Sequence, residues 1–435
     1  MVDLWRGLAL LDMAWVHLVH NFIVLPGSFA PIIRDHTRFA AGAFVFLAGL
    51  SVASAFGQAL ERGGADARAV RWRLWRRALL LLMVDRILGA GIALLNQWRA
   101  FLPGGEDPLA PLLPLLSFRE PGITGGLLVL YAALLAVTPA LAAIARRSGW
   151  ITVGGLSAVV YVVASASGGT FHWPPWTFPI AFWQPLFVGG MIAVPLLHWL
   201  RSGGPRRMAG WAAFASTLFA AMMLVRDGAL GFDIPESAFA KVPLRPGELV
   251  RYVIATQLFF SWTALAFSYS ARMRSALGWL CLIGRNSLLV YAAHVFVEVP
   301  IVEYAWGANP PAWVGLMLLA IDAVALATIA GFAETVERWG SSARAERDRV
   351  SLASAAVWIR APRAGMVAVV VAVASLVSLN AVQRALGTNP AGSLTASEHA
   401  VVDDAVAGEG LTEPVVTDDP IGSPEDGESD EAAGV

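Results

Sequence analysis

The sequence predicts an all-α fold, a polytopic transmembrane helical bundle of about 10–11 spans followed by a disordered acidic C-terminal tail. Three observations carry this. Of 435 residues, 57% are hydrophobic and only 14% are charged, which is too apolar for a soluble protein. Apolar runs of about 20 residues, the length a helix needs to cross hydrocarbon, recur along most of the chain. Arginines crowd alternate loops between those runs, as the positive-inside rule requires.

Taken in order, the runs place spans near 4–24, 37–57, 75–98, 123–145, 150–167, 178–199, 209–226, 247–269, 277–300, 312–334 and 364–383. One set of loops holds Arg62, Arg68, Arg71, Arg73, Arg76 and Arg77, then Arg146 and Arg147, then Arg201, Arg206 and Arg207. The same set continues with Arg272 and Arg274, and ends with Arg338, Arg344, Arg347, Arg349, Arg360 and Arg363. The intervening loops hold few: Arg34, then Arg99 and Arg119, then Arg226, Lys241 and Arg245. The expectation is a multi-pass protein of the plasma (inner) membrane with a cytoplasmic N-terminus. Asp3, the lack of a basic leader and the lack of a small-residue cleavage site make the first run a retained helix rather than a signal peptide.

Four segments follow from this reading: a bundle over 1–335, a basic cytoplasmic loop over 336–363, a final transmembrane helix over 364–385 and an acidic tail over 386–435. From Ala391 onward the tail has twelve acidic residues and no Lys or Arg; with −1 for the whole chain, the remainder carries +11. Rich in Gly, Asp, Glu, Pro and Ser, the tail cannot bury a core. The single cysteine, Cys281, falls within a span, which excludes an intrachain disulfide and a cysteine zinc site. No bound metal, permanent cofactor or nucleic-acid partner is expected.

The opening stretch, VDLWRGLALLDMAWVHLVHN, loads a membrane helix with Asp3, Arg6, Asp12, His17 and His20. Ionisable groups are costly in hydrocarbon unless they face a polar interior. Arg6 and His17 are eleven residues apart, three helical turns plus about 20°, so they share a face and lie about 16 Å apart along the axis. Asn21 continues that face, Asp3 lies one turn before Arg6, Asp12 points elsewhere, and His20 lies at the edge of the face, about 60° from His17. The ninth span repeats the pattern. IGRNSLLVYAAHVFVE sets Ser287, Tyr291, His294 and Glu298 within about 60° of one another, with Arg285 at its cytoplasmic side. Asp85 and Arg86 add polar groups to the third span and Gln184 to the sixth. Gln257 and Asp322 read as helix-to-helix hydrogen-bonding groups. Two histidines at similar depth, each on a span with an arginine at its cytoplasmic side, point to a reaction chamber inside the bundle.

VDLWRGLALLDMAWVH resembles the first-helix signature of the transmembrane acyltransferases, roughly Asp-x-x-Arg-Gly with a histidine eleven residues after the Arg. Asp3, Arg6, Gly7 and His17 fall on it. AFVFLAGLSVASAFGQALERG resembles their second helix, RLWRRALLLL the basic entry to the third, and IGRNSLLVYAAHVF the late Gly-Arg-x-Ser-Leu helix. FPIAFWQPLFVGGM resembles the Trp-Gln element of OpgC-type glucan-modifying members, although Arg38 and Gly42 stand where acids precede the OpgC-type Phe-Val-Phe-Leu run. Heparan-α-glucosaminide N-acetyltransferase-like and acyltransferase-3 proteins share parts of the pattern, which spans residues 2 to about 300.

The resemblance implies an acyl-CoA-dependent O- or N-acyltransferase. Such enzymes move an acyl group, acetyl or succinyl, from cytoplasmic acyl-CoA to a carbohydrate hydroxyl or amine, often beyond the membrane. Coenzyme A phosphates call for guanidinium forks, and Arg6, Arg73, Arg76, Arg77 and Arg285 are the candidates. Histidine suits the transfer as base or nucleophile because its pKa lies near neutrality. His17 is the first choice, with His294 as partner, orienter or oxyanion stabiliser. Asn21, Asp85, Arg86, Trp183, Gln184 and Tyr291 are the candidate substrate-binding residues. His172, Trp173 and Trp176 lie in an outer loop where tryptophan also gathers without a ligand. The expected partners are acyl-CoA as donor substrate (acetyl-CoA first), a carbohydrate or glycan acceptor and the lipid bilayer, with homodimerisation left open. The rival reading is a transporter or flippase for a polar or glycolipid substrate, which would favour internal repeats and paired broken helices; neither is evident in the sequence.

Overall fold

A computed structural model describes residues 1–21, 39–100, 126–167, 178–226, 235–240, 244–294 and 312–350, with single positions at 229 and 297. The compact unit that holds them is all helix, with no strand among the described residues. The predicted span at 364–383 and the acidic tail lie outside the described residues.

In chain order the helices are α1 Val2–Asn21, α2 Ala40–Arg62, α3 Gly64–Ala100, α4 Leu127–Ser148, α5 Trp150–Ala166 and α6 Ile180–Ile192. There follow α7 Val194–Ser202, α8 Gly204–Arg226, a 3₁₀ turn Glu236–Phe239, α9 Pro246–Tyr269, α10 Ala271–Ala276, α11 Gly278–Arg285, α12 over 287–294 and α13 Ala312–Val350. Six described segments are long and apolar enough to cross a membrane: α2, α4, α6 with α7 as one run Ile180–Ser202, α8, α9 and Trp313–Val336 of α13. This is a multi-pass membrane protein. α5, read from the sequence as a span, is an apolar helix of 17 residues, short of that length. α1, which carries Asp3, Arg6 and Asp12, is not among the six. α3 runs on into residues 92–100, whose side chains lie outside the described residues.

α2 is the hub. It packs against α6 most closely, and also against α1, α3, α4 and α9. The reason is a pair of reciprocal glycines. A Cβ on Gly49 would stand 1.9 Å from the Phe187 carbonyl oxygen, and one on Gly190 would stand 1.9 Å from that of Phe46. In lipid, where apolar side chains gain little by leaving the solvent, such small residues let backbones approach and gain dispersion contacts. The Phe-Leu-x-Gly run of α2 and the Phe-Val-Gly-Gly run of α6 thus interlock. α1 and α11 repeat the device: a Cβ on Gly7 would meet the Leu280 oxygen at 1.9 Å, and one on Gly284 the Asp3 oxygen at 1.7 Å.

Two breaks depart from the sequence reading. The sixth span bends at Ala193, before Pro195 in the first turn of α7. The ninth span is not one helix: α11 ends at Arg285, and Asn286 turns the chain into α12. The Asn286 side-chain amide donates to the Leu282 oxygen at 3.1 Å and to the Ala330 oxygen of α13 at 3.4 Å, which ties the break to a neighbour. α13 runs unbroken to Val350, so the first part of the segment read as a basic loop is helical.

The arginine-bearing loops gather at one end. Arg146 lies over Gly63, Trp150 donates to Glu61 at 3.0 Å, and Arg285 reaches Glu334 on α13 at 3.5 Å. Met1 and Trp5 of α1 approach Leu200 of α7 and Met208 of α8 at that same end.

Candidate active site

The α1–α11 interlock brings the two most charged motifs together: Asp3, Arg6 and Gly7 on one helix, Gly284 and Arg285 on the other. Arg6 is half-buried, with Asp3 one turn before it at 3.8 Å. It also lies within the electrostatic reach of Arg77 on α3 and Tyr131 on α4. Bringing two guanidinium groups together with one loosely held carboxylate leaves an excess of positive charge, which favours an anion between them. Arg73, Arg76 and Arg77 are exposed along the entry of α3, and Arg77 stands 5.8 Å over the Phe56 ring. Arg285 is turned the other way. It pairs with Glu334, which Arg338 also holds at 2.6 Å, so its guanidinium belongs to the α11–α13 contact.

From Arg6 a line of aromatic groups leads inward. Tyr131 is buried, and its hydroxyl finds no hydrogen-bond partner among the described residues. Phe44 of α2 stands edge-on to Tyr131 at 5.9 Å between ring centroids and 6.1 Å from Tyr291 of α12. Tyr291 in turn lies 5.0 Å from the His294 ring. His294 is only 2% exposed, and its Nδ1 meets the backbone oxygen of Tyr291. A carbonyl accepts only, so Nδ1 donates in this contact and the ring is held in one orientation. A buried imidazole with its ring oriented in this way suits a general base.

Asp85 and Arg86 are both buried on α3, about 12–14 Å beyond Arg77 along the axis. Arg86 Nε donates to Asp85 Oδ2 at 3.0 Å. The pairing explains how α3 tolerates two charges inside the bundle. Gln184 and Trp183, read as an acceptor-binding pair, serve packing in the described structure. Gln184 Nε2 donates to the Ser157 oxygen at 2.8 Å and its Oε1 accepts from Ser157 Oγ at 2.6 Å, which ties α6 to α5. Trp183 is fully buried against Phe178 and Tyr252. The side chains of His17, His20 and Asn21, and residues 168–177 with His172, Trp173 and Trp176, lie outside the described residues, as does Glu298.

Sequence reasoning missed Tyr131 and the buried pair Glu248–Arg251, bound at 2.5 and 2.6 Å in the first turns of α9. The signal for the pair was present, an acid and a base at i,i+3 opening a membrane helix. A single Tyr in the apolar run LLVLYAALLAV offered none. Among the described residues no group of three or more His, Cys, Asp or Glu side chains could hold a metal ion.

No curated protein and no solved structure matches the chain. A family model described as OpgC protein matches residues 1–341, from the first helix to within α13, and takes in every motif quoted above. With most of its length and all of the described site inside that match, the chain belongs to the OpgC family of acyltransferases.

Proposed function

We propose that the protein transfers an acyl group from acyl-CoA, held at the arginine-rich end, to a carbohydrate hydroxyl or amine that enters from the opposite side. One observation supports this most: a buried histidine with an oriented ring stands at the inner end of an aromatic line that starts at a cluster of arginines. In this reading Arg6 and Arg77, with Arg73 and Arg76 beside them, hold the donor phosphates, and the arginine-rich end faces the cytoplasm. His294 Nε2 takes the acceptor O–H or N–H proton as the acceptor atom attacks the thioester carbonyl. The new C–O or C–N bond forms, the C–S bond breaks, and the thiolate leaves with the proton that the imidazolium returns. Tyr131 and Tyr291 line the route, and Asp85–Arg86 offers polar atoms to the acceptor. His17, on the neighbouring α1, is the second histidine of the pair, with direct transfer and an acyl-histidine intermediate as its two routes.

The test is acyl transfer by purified protein in nanodiscs with labelled acetyl-CoA and succinyl-CoA. His294→Ala should lower the rate about 10²–10⁴-fold, the usual worth of general acid–base help, while donor binding persists. His17→Ala should fall in the same range, and His20→Ala should retain most activity. Near-wild-type rates in both His294→Ala and His17→Ala would sink the assignment. Acyl-CoA left unconsumed under every condition would favour a transporter.

A further inference from the structure

An apolar pocket lies away from the candidate active site, walled by Met1 and Trp5 of α1, Phe46 and Leu50 of α2, the Ala193–Leu200 segment, Met208 and Trp211 of α8, and the inner half of α9. It is a cleft partly open to the surroundings, and its roughly 550 Å³ of empty space includes that opening. None of its walls comes from α4 or α12, which carry Tyr131, Tyr291 and His294.

The polar groups in the wall are already engaged. Gln257 Oε1 accepts from Trp211 Nε1 at 3.4 Å, Ser261 Oγ donates to the Leu258 oxygen at 2.9 Å, and Trp5 Nε1 donates to Thr263 Oγ1 at 3.2 Å. What faces the cavity is therefore mostly hydrocarbon and ring. At its arginine-rich end the chemistry changes. Arg201 is one turn beyond Leu197 on the same face of α7, and Arg207 is one turn before Trp211 on the same face of α8. Arg206 is exposed beside them.

Arg207 is held in place. Its Nη1 donates to the Trp199 oxygen at 2.7 Å and to Ser202 Oγ at 3.1 Å, and its guanidinium lies 4.6 Å over the Trp199 ring. Gly203 makes room for this, since a Cβ there would stand 2.1 Å from Arg207 Nε. Those bonds use one nitrogen of the fork. The Nε–H and the two Nη2–H groups have no hydrogen-bond acceptor among the described residues, and they suit the oxygens of a phosphate.

We propose that this pocket is a binding site for an anionic glycerophospholipid, with one acyl chain among Leu196, Leu197, Phe260 and Ala264 and the phosphate on Arg207, Arg201 and Arg206. A lipid chain gains little hydrophobic energy by moving from the bilayer into a pocket, so selectivity rests on the headgroup and position rests on the cavity's shape.

The full chain in nanodiscs, with phosphatidylglycerol or phosphatidylcholine bearing a diazirine near the chain end, tests both parts. Photolabelling with the phosphatidylglycerol probe should place adducts on the segments 194–200 and 257–264, at least threefold more often than with the phosphatidylcholine probe. Arg201→Gln/Arg206→Gln/Arg207→Gln should abolish that preference. Ala264→Phe, which fills the pocket, should remove the adducts while acyl transfer continues. Adducts confined to lipid-facing Phe214 and Trp262, or equal labelling by the two lipids in the wild-type chain, would overturn the proposal even if neither variant folds. Loss of the adducts on adding long-chain acyl-CoA would also overturn it, because the pocket would then belong to the donor.

Discussion

Arg6 and Asp3 are 3.8 Å apart with 29% and 44% of their side chains exposed, a pair too loose and too wet to contribute much to stability. Asp3 therefore does little to hold Arg6 in place. If Arg6 grips a donor phosphate, Arg6→Ala should weaken acyl-CoA binding about tenfold or more, since a hydrogen bond to a charged group is worth about 1.5–3 kcal/mol. Isothermal titration with a non-hydrolysable acyl-CoA analogue reads this. Unchanged affinity in Arg6→Ala, and again in a combined Arg76→Ala/Arg77→Ala variant, would leave these residues a topological role alone. At this scale the sequence was informative about which residues are polar and deep, and poor at saying where they point. Nine residues separate Arg285 from His294, so even an unbroken helix would set them on opposite faces, and the helix here is not unbroken. Asn286 breaks it, so Arg285 turns to Glu334 while His294 stays inside. Tyr131 was hidden because one hydroxyl in a run of leucines looks like packing until its neighbours are known.

Between elements, glycine decides which helices touch. Gly7 and Gly284 set the crossing that brings both arginine motifs to one end, and Gly49 and Gly190 set the crossing of α2 with α6. An alanine at any of the four would place a methyl group less than 2 Å from a backbone oxygen, so the helices must part and lose their shared packing. Each substitution should destabilise by about 1–3 kcal/mol, seen as a lower melting temperature in detergent, and Gly7→Ala and Gly284→Ala should also lower acyl transfer. Gly57 of α2 and Gly155 of α5 are the controls, because nothing lies within 4 Å of a Cβ there. Gly57→Ala and Gly155→Ala should be neutral or stabilising by up to about 1 kcal/mol through helix propensity. Equal effects at both sets would show that the close crossings do not hold the bundle together. The sequence displayed these glycines inside its motifs but not their partners. Reciprocity between two distant segments is a property of the packed pair, and only the end-to-end alternation of arginines gave notice that the helices run antiparallel.

Across the whole molecule, the alternating arginines, the described helices and the family match over residues 1–341 agree on a multi-pass helical acyltransferase. Apolar length and charge asymmetry made that architecture legible from the sequence, because hydrocarbon admits few solutions for a backbone that must satisfy its own hydrogen bonds. The boundaries were less so. The bend at Ala193 and the turn at Asn286 arise from a proline and an amide acting with neighbouring helices, which no window of hydropathy detects. If the arginines at one end hold the donor and the buried imidazole works within, there is a directional consequence: donor and acceptor need never share a compartment. Proteoliposomes of uniform orientation test this, with acyl-labelled acyl-CoA on the arginine-rich side and a glucan acceptor sealed on the other. The expected result is labelled glucan in the acceptor compartment, matched by free coenzyme A in the donor compartment, with both lost in His294→Ala. Label reaching the glucan only when both substrates share one side, or glucan crossing unacylated while acyl-CoA stays intact, would contradict it.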